Sequence, residues 1–301
     1  MSIKREIVKY FLKHSLGINS SIVSKQNKFA ELFNMGKIPL PKIIHLETRA
    51  RCNSACSFCL ANIKDDPRED LLMSNELILK IIKELNQIDY SNRISFYSNN
   101  EPFLDKRIIE IIKNTRKQVP KAYLEIKSNG IGLKIEKIIE SFNAGLDTLY
   151  INDYTDNSEH SPNIQRLKNT LKSIRRFKGH YKSRAAKYNN RIIIYKRRIN
   201  EQLDTRAGTS PNANSIKSPL NLPCFTSCEK MVISPEGYVT VCSEDFFYSI
   251  RMGDVNKQNI IDIWNSEKFN TFRTELIKGN RNFHNACSKC DYKGYTYETF
   301  Q

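Results

Sequence analysis

The chain has 301 residues, 40% hydrophobic and 27% charged, with 48 Lys and Arg against 32 Asp and Glu and a formal net charge of +16. No run approaches the roughly 18 consecutive apolar residues of a membrane helix, and the length suits one large core with or without a small appendage. Such a surplus of base permits nucleic acid or an anionic ligand as partner, but a solvated basic surface accounts for it equally well.

The opening "MSIKREIVKYFLKHSLGI" is basic, and Lys9, Lys13 and His14 break its apolar run. It reads as an amphipathic helix of a cytoplasmic protein, not as a signal peptide. Strand-like and helix-like periods then alternate. Residues 42–48 ("KIIHLET") form a strand, and Ser74 to Ile88 a helix with apolar positions at 77, 78, 81, 82, 85 and 88. Strands follow at 93–98, 122–128, 146–152 and 191–197, separated by helices at 105–118, from about 131 to 144, and at 162–177. Five short strands alternating with helices imply an α/β fold with a mostly parallel sheet, a partial (β/α) barrel short of the eight strands of a closed one.

After Arg198 the alternation stops. Residues 207–223 ("AGTSPNANSIKSPLNLP") have linker composition, "KMVISPEGYVTVC" reads as a hairpin around a Pro-Glu-Gly turn, and 258–278 is helical. The expected organisation is a helical extension (1–41), a partial barrel (42–206), a linker (207–223) and a small hairpin-helix domain (224–301).

Eight cysteines punctuate this plan: Cys52, Cys56 and Cys59 directly after the first strand, and Cys224, Cys228, Cys242, Cys287 and Cys290 near the end. Scattered core thiols would not cluster so, and two separate sulfur sites are the economical reading. Three thiols on one loop are odd for disulfides and one short of a closed tetrahedral site. They can hold three corners of a cubane and leave its fourth iron open for a cofactor. A zinc ribbon needs paired C-x2-C units, which "CNSACSFC" does not supply. For the second group, spacing alone leaves zinc and an iron–sulfur cluster open.

The arrangement C-x3-C-x-(aromatic)-C, filled by Cys52, Cys56, Phe58 and Cys59, resembles the radical S-adenosylmethionine (radical SAM) superfamily. "NNEP" (Asn99, Asn100, Glu101, Pro102) lies where the family has a Gly-Gly-Glu-Pro-like segment that contacts the cofactor's methionine amino group, with Asn in place of both glycines. "SNG", beginning at Ser128, matches a Thr-Asn-Gly at the third strand's end, and Asn152, ending the fourth, is placed to reach the ribose. The C-terminal pattern resembles the shortened, "twitch" version of the SPASM domain. That resemblance implies Cys224, Cys242, Cys287 and Cys290 as ligands of one auxiliary [4Fe–4S] cluster. Cys228 is left over, either a small buried residue or a hydrogen-atom donor.

From Lys172 to Arg198 there are eleven Lys or Arg and no acid, for the most part a solvated face. Arg197, Arg198 and Arg206 leave the C-terminal end of a parallel strand, where α/β sheets place ligands. They are candidates for the cofactor carboxylate or an anionic substrate, and Glu201 is a candidate base or a partner for one of these Arg. The resemblance implies S-adenosylmethionine and two [4Fe–4S] clusters, an electron donor such as flavodoxin or ferredoxin, and hydrogen abstraction from a small substrate. The expected reaction is a two-electron oxidation of a sugar- or cyclitol-like alcohol, as in the twitch-bearing dehydrogenase of aminoglycoside biosynthesis. An epimerase with Cys228 as donor and a ribosomal-peptide maturase are the rivals within the family. A zinc-stabilised RNA-binding protein leaves the strand-to-cysteine order unexplained, and stacking aromatics are not patterned along its basic stretch.

Overall fold

The computed structural model describes residues 24–33, 35–174 and 191–293; the first 23 residues and most of the basic stretch lie outside them. A helix over 24–33 (α1) precedes β1 (Ile43–Leu46). The next units are α2 (Asn75–Gln87), β2 (Arg93–Ser95), α3 (Ile108–Gln118), β3 (Tyr123–Ser128), α4 (Ile135–Asn143), β4 (Thr148–Tyr154), α5 (Pro162–Ser173) and β5 (Arg191–Arg197). Helix α2 shows why the periodic reading works. Ser74 caps its first turn by accepting from Leu77 N–H at 3.1 Å, and Leu77, Ile78, Ile81, Ile82 and Leu85 are buried.

The C-terminal third contributes α6 (Thr226–Glu229), β6 (Lys230–Ile233), β7 (Tyr238–Thr240), β8 (Arg251–Asp254), α7 (Ile260–Asn265), α8 (Glu267–Ile277) and α9 (Asn285–Ser288). The expected hairpin is β6–β7, turning at Gly237, whose φ of +98° and closeness to the Asn256 amide exclude a side chain. Its first strand does not stay in a separate unit. β6 pairs in parallel with β1, Ile43 opposite Lys230 and Leu46 opposite Ile233.

The eight strands therefore form one open sheet in the order β5-β4-β3-β2-β1-β6-β7-β8, parallel from β5 to β6 and antiparallel beyond. The parallel part has six strands, one more than the periodicity suggests, because apolar period cannot tell a hairpin strand from a barrel strand. The outward residues Ile44, Leu46, Ile94, Phe96, Leu124, Ile126, Leu149 and Ile151 join the core with the helices.

The expected spacer at 207–223 begins packed. Ser210 Oγ donates to Phe58 O at 3.0 Å, and Asn212 Nδ2 donates to Ser57 Oγ at 3.0 Å. Helix α1 docks on the C-terminal third: Phe29 stacks on Phe225 at 5.8 Å, Lys25 pairs with buried Glu229 at 2.9 Å, and Gln26 Nε2 donates to Ile277 O. No described helix is long and apolar enough to cross a membrane.

Candidate active site

The loops after β1, β2 and β3 gather at the C-terminal edge of the parallel strands, where such sheets place their ligands. The loop after β1 carries Cys52, Cys56 and Cys59. Ser54 Oγ lies 2.9 Å from Cys56 Sγ, and Asn129 Nδ2 donates to Cys52 Sγ at 3.5 Å and to Asn53 Oδ1 at 2.9 Å. Burial pushes the Cys52 thiol up to about 12 and Cys56 to about 11, and each stands within electrostatic reach of Cys59. Such thiols become thiolates when a cation binds them. Phe58 is buried and packs against Tyr154, the end of β4, with ring centroids 5.5 Å apart.

The segment after β2 is built as a brace. Asn99 is 2% exposed, and all four of its polar groups are engaged. Its N–H donates to Glu47 Oε2 at 2.7 Å, its carbonyl accepts from Arg68 Nη2 at 2.6 Å, its Oδ1 accepts from Arg206, and its Nδ2 donates to Ser243 O at 3.4 Å. Asn99, a candidate cofactor contact in the sequence, thus has its polar groups engaged by the protein. Two side-chain bonds fill the space a glycine would leave open.

Beside it, Asn100 Oδ1 accepts from Ser98 N–H, whereas its buried Nδ2 has no partner among the described residues. The Glu101 carboxylate accepts from Ser128 Oγ at 2.8 Å, Asn129 N–H at 2.7 Å and Phe103 N–H at 3.2 Å. Burial outweighs these donors and pushes its pKa up to about 7. Ser128 itself faces Glu101 and accepts from Gly130 N–H, so it fixes the turn, while its neighbour Asn129 reaches the cysteine loop.

The remaining candidates divide. Asn152 is half-buried on β4 opposite Tyr195. Arg197 stands 2.7 Å from Glu201 without hydrogen-bond alignment, and Glu201 lies within electrostatic reach of Cys56 and Tyr154. The Arg198 side chain is exposed. Arg206 is committed to protein partners: Asn99, Ser243 O at 3.2 Å, and Glu244 Oε2 at 3.9 Å.

The second group closes around one cavity, whose lining includes Cys224, Cys242, Cys287, Cys290, Ala207 and Arg281. Cys242 Sγ accepts from Glu244 N–H at 3.4 Å, and Cys290 N–H donates to Cys287 O. His284 caps the short helix that carries Cys287. Burial pushes Cys287 and Cys290 up to about 12 and Cys242 well above its usual range. Cys228 is elsewhere. It is 4% exposed in an apolar cluster with Phe29, Phe225 and Ile277 and is not among the residues lining the cavity.

Several residues of the site escaped the sequence reading. Glu47, fully buried just after β1, accepts from Arg68 at 2.8 Å and from Tyr248 OH as well as from Asn99. Its position two residues after His45 puts it on the strand face away from the core helices. That alternation was the available signal.

Residues 46–200 match the sequence model of the radical SAM superfamily, more than half of the chain. The chain belongs to the radical SAM superfamily. Residues 224–291 match the SPASM iron-sulfur cluster-binding domain. A curated relative, the S-adenosyl-L-methionine-dependent 2-deoxy-scyllo-inosamine dehydrogenase of Niallia circulans, is 26% identical over 249 residues, 83% of this chain and 92% of the relative. Among solved structures, BtrN in complex with AdoMet and 2-DOIA superposes with a TM-score of 0.70 at 23% identity, covering 87% of this chain and 98% of that one. SeMet BtrN in an OPEN conformation gives 0.60 at 20% identity, covering 86% and 99%. These structures share the fold.

The cofactors of this radical SAM protein are S-adenosylmethionine and two [4Fe–4S] clusters. The residues present fit them. The first loop offers three thiols with hydrogen-bonding groups at two of the sulfurs, and Glu101 N–H, next to the unpartnered Asn100 amide, donates to Arg51 O at 2.7 Å. The second cavity offers four soft sulfur donors at one place.

Proposed function

We propose that this radical SAM enzyme is a dehydrogenase that oxidises a hydroxyl-bearing, sugar- or cyclitol-like small molecule by two electrons. The observation that carries the reading is the convergence of four thiols, Cys224, Cys242, Cys287 and Cys290, on one buried cavity. Four thiolates complete the coordination of a cubane and leave no iron for substrate, which suits an electron acceptor. The name of the Niallia circulans relative supports both the reaction and the cyclitol class.

In this reading Cys52, Cys56 and Cys59 hold the first cluster, which with S-adenosylmethionine supplies, when bound, a carbon radical able to abstract hydrogen. The chain's part is to orient and enclose. Asn100 offers its buried amide to the cofactor's polar end. Glu101 holds the turn at Ser128 and Asn129 against the first loop, and Phe58 and Tyr154 wall off water. The substrate carbon loses a hydrogen atom and its hydroxyl a proton. A carbonyl remains, and a cluster held by Cys224, Cys242, Cys287 and Cys290 would supply the acceptor for the remaining electron. Glu201, 2.7 Å from Arg197, is our candidate for the proton acceptor. An acidic carrier such as flavodoxin or ferredoxin would supply the first electron to this basic protein.

The test is anaerobic incubation of the protein, both clusters reconstituted, with S-adenosylmethionine, reductant and a panel of polyols, read by mass spectrometry. The expected result is 5′-deoxyadenosine together with a product two mass units lighter than its substrate, both lost in Cys56→Ala. Cleavage that persists in Cys56→Ala would show that the wrong loop has been assigned.

A further inference from the structure

Between the two cysteine groups runs the segment where the expected barrel passes into the expected linker, and it is clamped to both. On one side Ser210 Oγ donates to the carbonyl of Phe58, next to Cys59. On the other, Thr205 N–H donates to Asp291 Oδ1 at 2.7 Å and Thr205 Oγ1 to Lys289 O at 2.8 Å, the residues flanking Cys290. Gly208 lies so close to Lys289 that an added Cβ would meet its Cβ at 2.9 Å.

The backbone between the clamps is strained. Arg206 and Ala207 take φ of +45° and +53°, a region non-glycine residues rarely adopt. Strain of this kind persists where surrounding contacts over-determine it, and it concentrates at functional positions. The strained turn delivers the Arg206 guanidinium into the space between the sites. There it bonds the Asn99 side chain and the carbonyl of Ser243, the residue after Cys242, and lies within electrostatic reach of both Cys59 and Cys242.

Resting on the reading that Cys224, Cys242, Cys287 and Cys290 hold the auxiliary cluster, we propose that Arg206 is a positioning residue that tunes this cluster. Its buried positive charge favours the cluster's reduced state, and its bond to Asn99 fixes the segment after β2 against the second site. The electron concerned is the one the substrate radical releases, together with a proton, as it becomes a carbonyl. A four-thiolate cluster gains negative charge on accepting it, and a guanidinium nearby in a low-dielectric site offsets that gain. Glu244, 3.9 Å from Arg206 and within electrostatic reach of Cys242 and Cys290, acts in the opposite direction, and Arg281 is a second positive charge near Cys287 and Cys290.

The experiment isolates the auxiliary cluster in a full-length chain in which Cys52, Cys56 and Cys59 are all Ala, titrated redox-wise under argon and read by electron paramagnetic resonance. At the solution potential that half-reduces the parent, Arg206→Gln should lower the ratio of reduced to oxidised cluster about tenfold. That ratio corresponds to about 59 mV for one electron. Arg206→Lys, which keeps the charge, should stay close to the parent, and Glu244→Gln should move the ratio the other way. In the chain with all its cysteines, Asn99→Ala should weaken S-adenosylmethionine binding about tenfold and leave the auxiliary potential unmoved. If Arg206→Gln loses the cluster, the direction of the Glu244→Gln shift still tests the sign. With about four irons bound, potentials that do not respond to Arg206→Gln or Glu244→Gln would overturn the proposal. Absence of iron from the triple-Ala chain would instead defeat the underlying ligand assignment.

Discussion

Glu101 is the residue at which the electrostatics of the site can be measured without any cofactor. Its carboxyl is 3% exposed and accepts three hydrogen bonds, yet burial carries its pKa from 4.5 to about 7. The folded chain therefore holds this proton more tightly than the unfolded chain. The group's contribution to stability is complete below about pH 4.5 and is lost as pH rises through about 7. At about 1.4 kcal/mol per pKa unit, the loss between pH 5 and pH 8 comes to about 2.5 kcal/mol.

Glu101→Gln preserves shape and cannot ionise. It turns one amide N–H toward a donor, a penalty of about 1–2 kcal/mol at every pH. The wild type should accordingly be the more stable at pH 5, and the difference should close or invert by pH 8. Anaerobic urea unfolding of the two cofactor-free proteins, compared at each pH, cancels every other titrating group. A stability difference constant to within about 0.5 kcal/mol, or one that widens with pH, would refute the reasoning. Either result would mean that the donors, not burial, dominate at Glu101.

Two further outcomes are expected. Cys228→Ala should cost about 1 kcal/mol of stability through looser packing in the apolar cluster, keep its full iron content and keep turnover; 5′-deoxyadenosine without product, and solvent deuterium in wild-type product, would instead make Cys228 a hydrogen donor. Lys42 and Lys25 hold Glu229 below its ordinary value of 4.5 against the opposing effect of burial, so this clamp on α1 is present above pH 4.5 and is lost as pH falls through the lower folded value. Hydrogen exchange should show α1 losing about 1 kcal/mol of protection on acidification, and an unchanged pH response in Glu229→Gln would exclude Glu229 as the cause.

What could be read from the sequence was local. The three-thiol loop was legible because its cysteines fall within eight consecutive positions, 52–59, shortly after a strand. Helix α2 was legible because capping and apolar period act over a few turns. The α/β class followed from repeated alternation, and family and fold from motifs anchored to those strand ends. The tertiary structure decided which side chains remain for chemistry. Arg206, 107 positions from Asn99, engages its side chain, and Glu47 drew no notice until Tyr248, 201 positions away, closed on it. Likewise Cys228 and Cys242 are equal as letters, yet one faces aromatic rings and the other a cavity shared with three more thiols. β6 read as part of an appended hairpin and is the neighbour of β1. Periodicity reports whether a residue faces a core, but not which one. Hydrogen-bond saturation and the field at a buried group are sums over partners that are distant in sequence, and they exist only once the chain has folded.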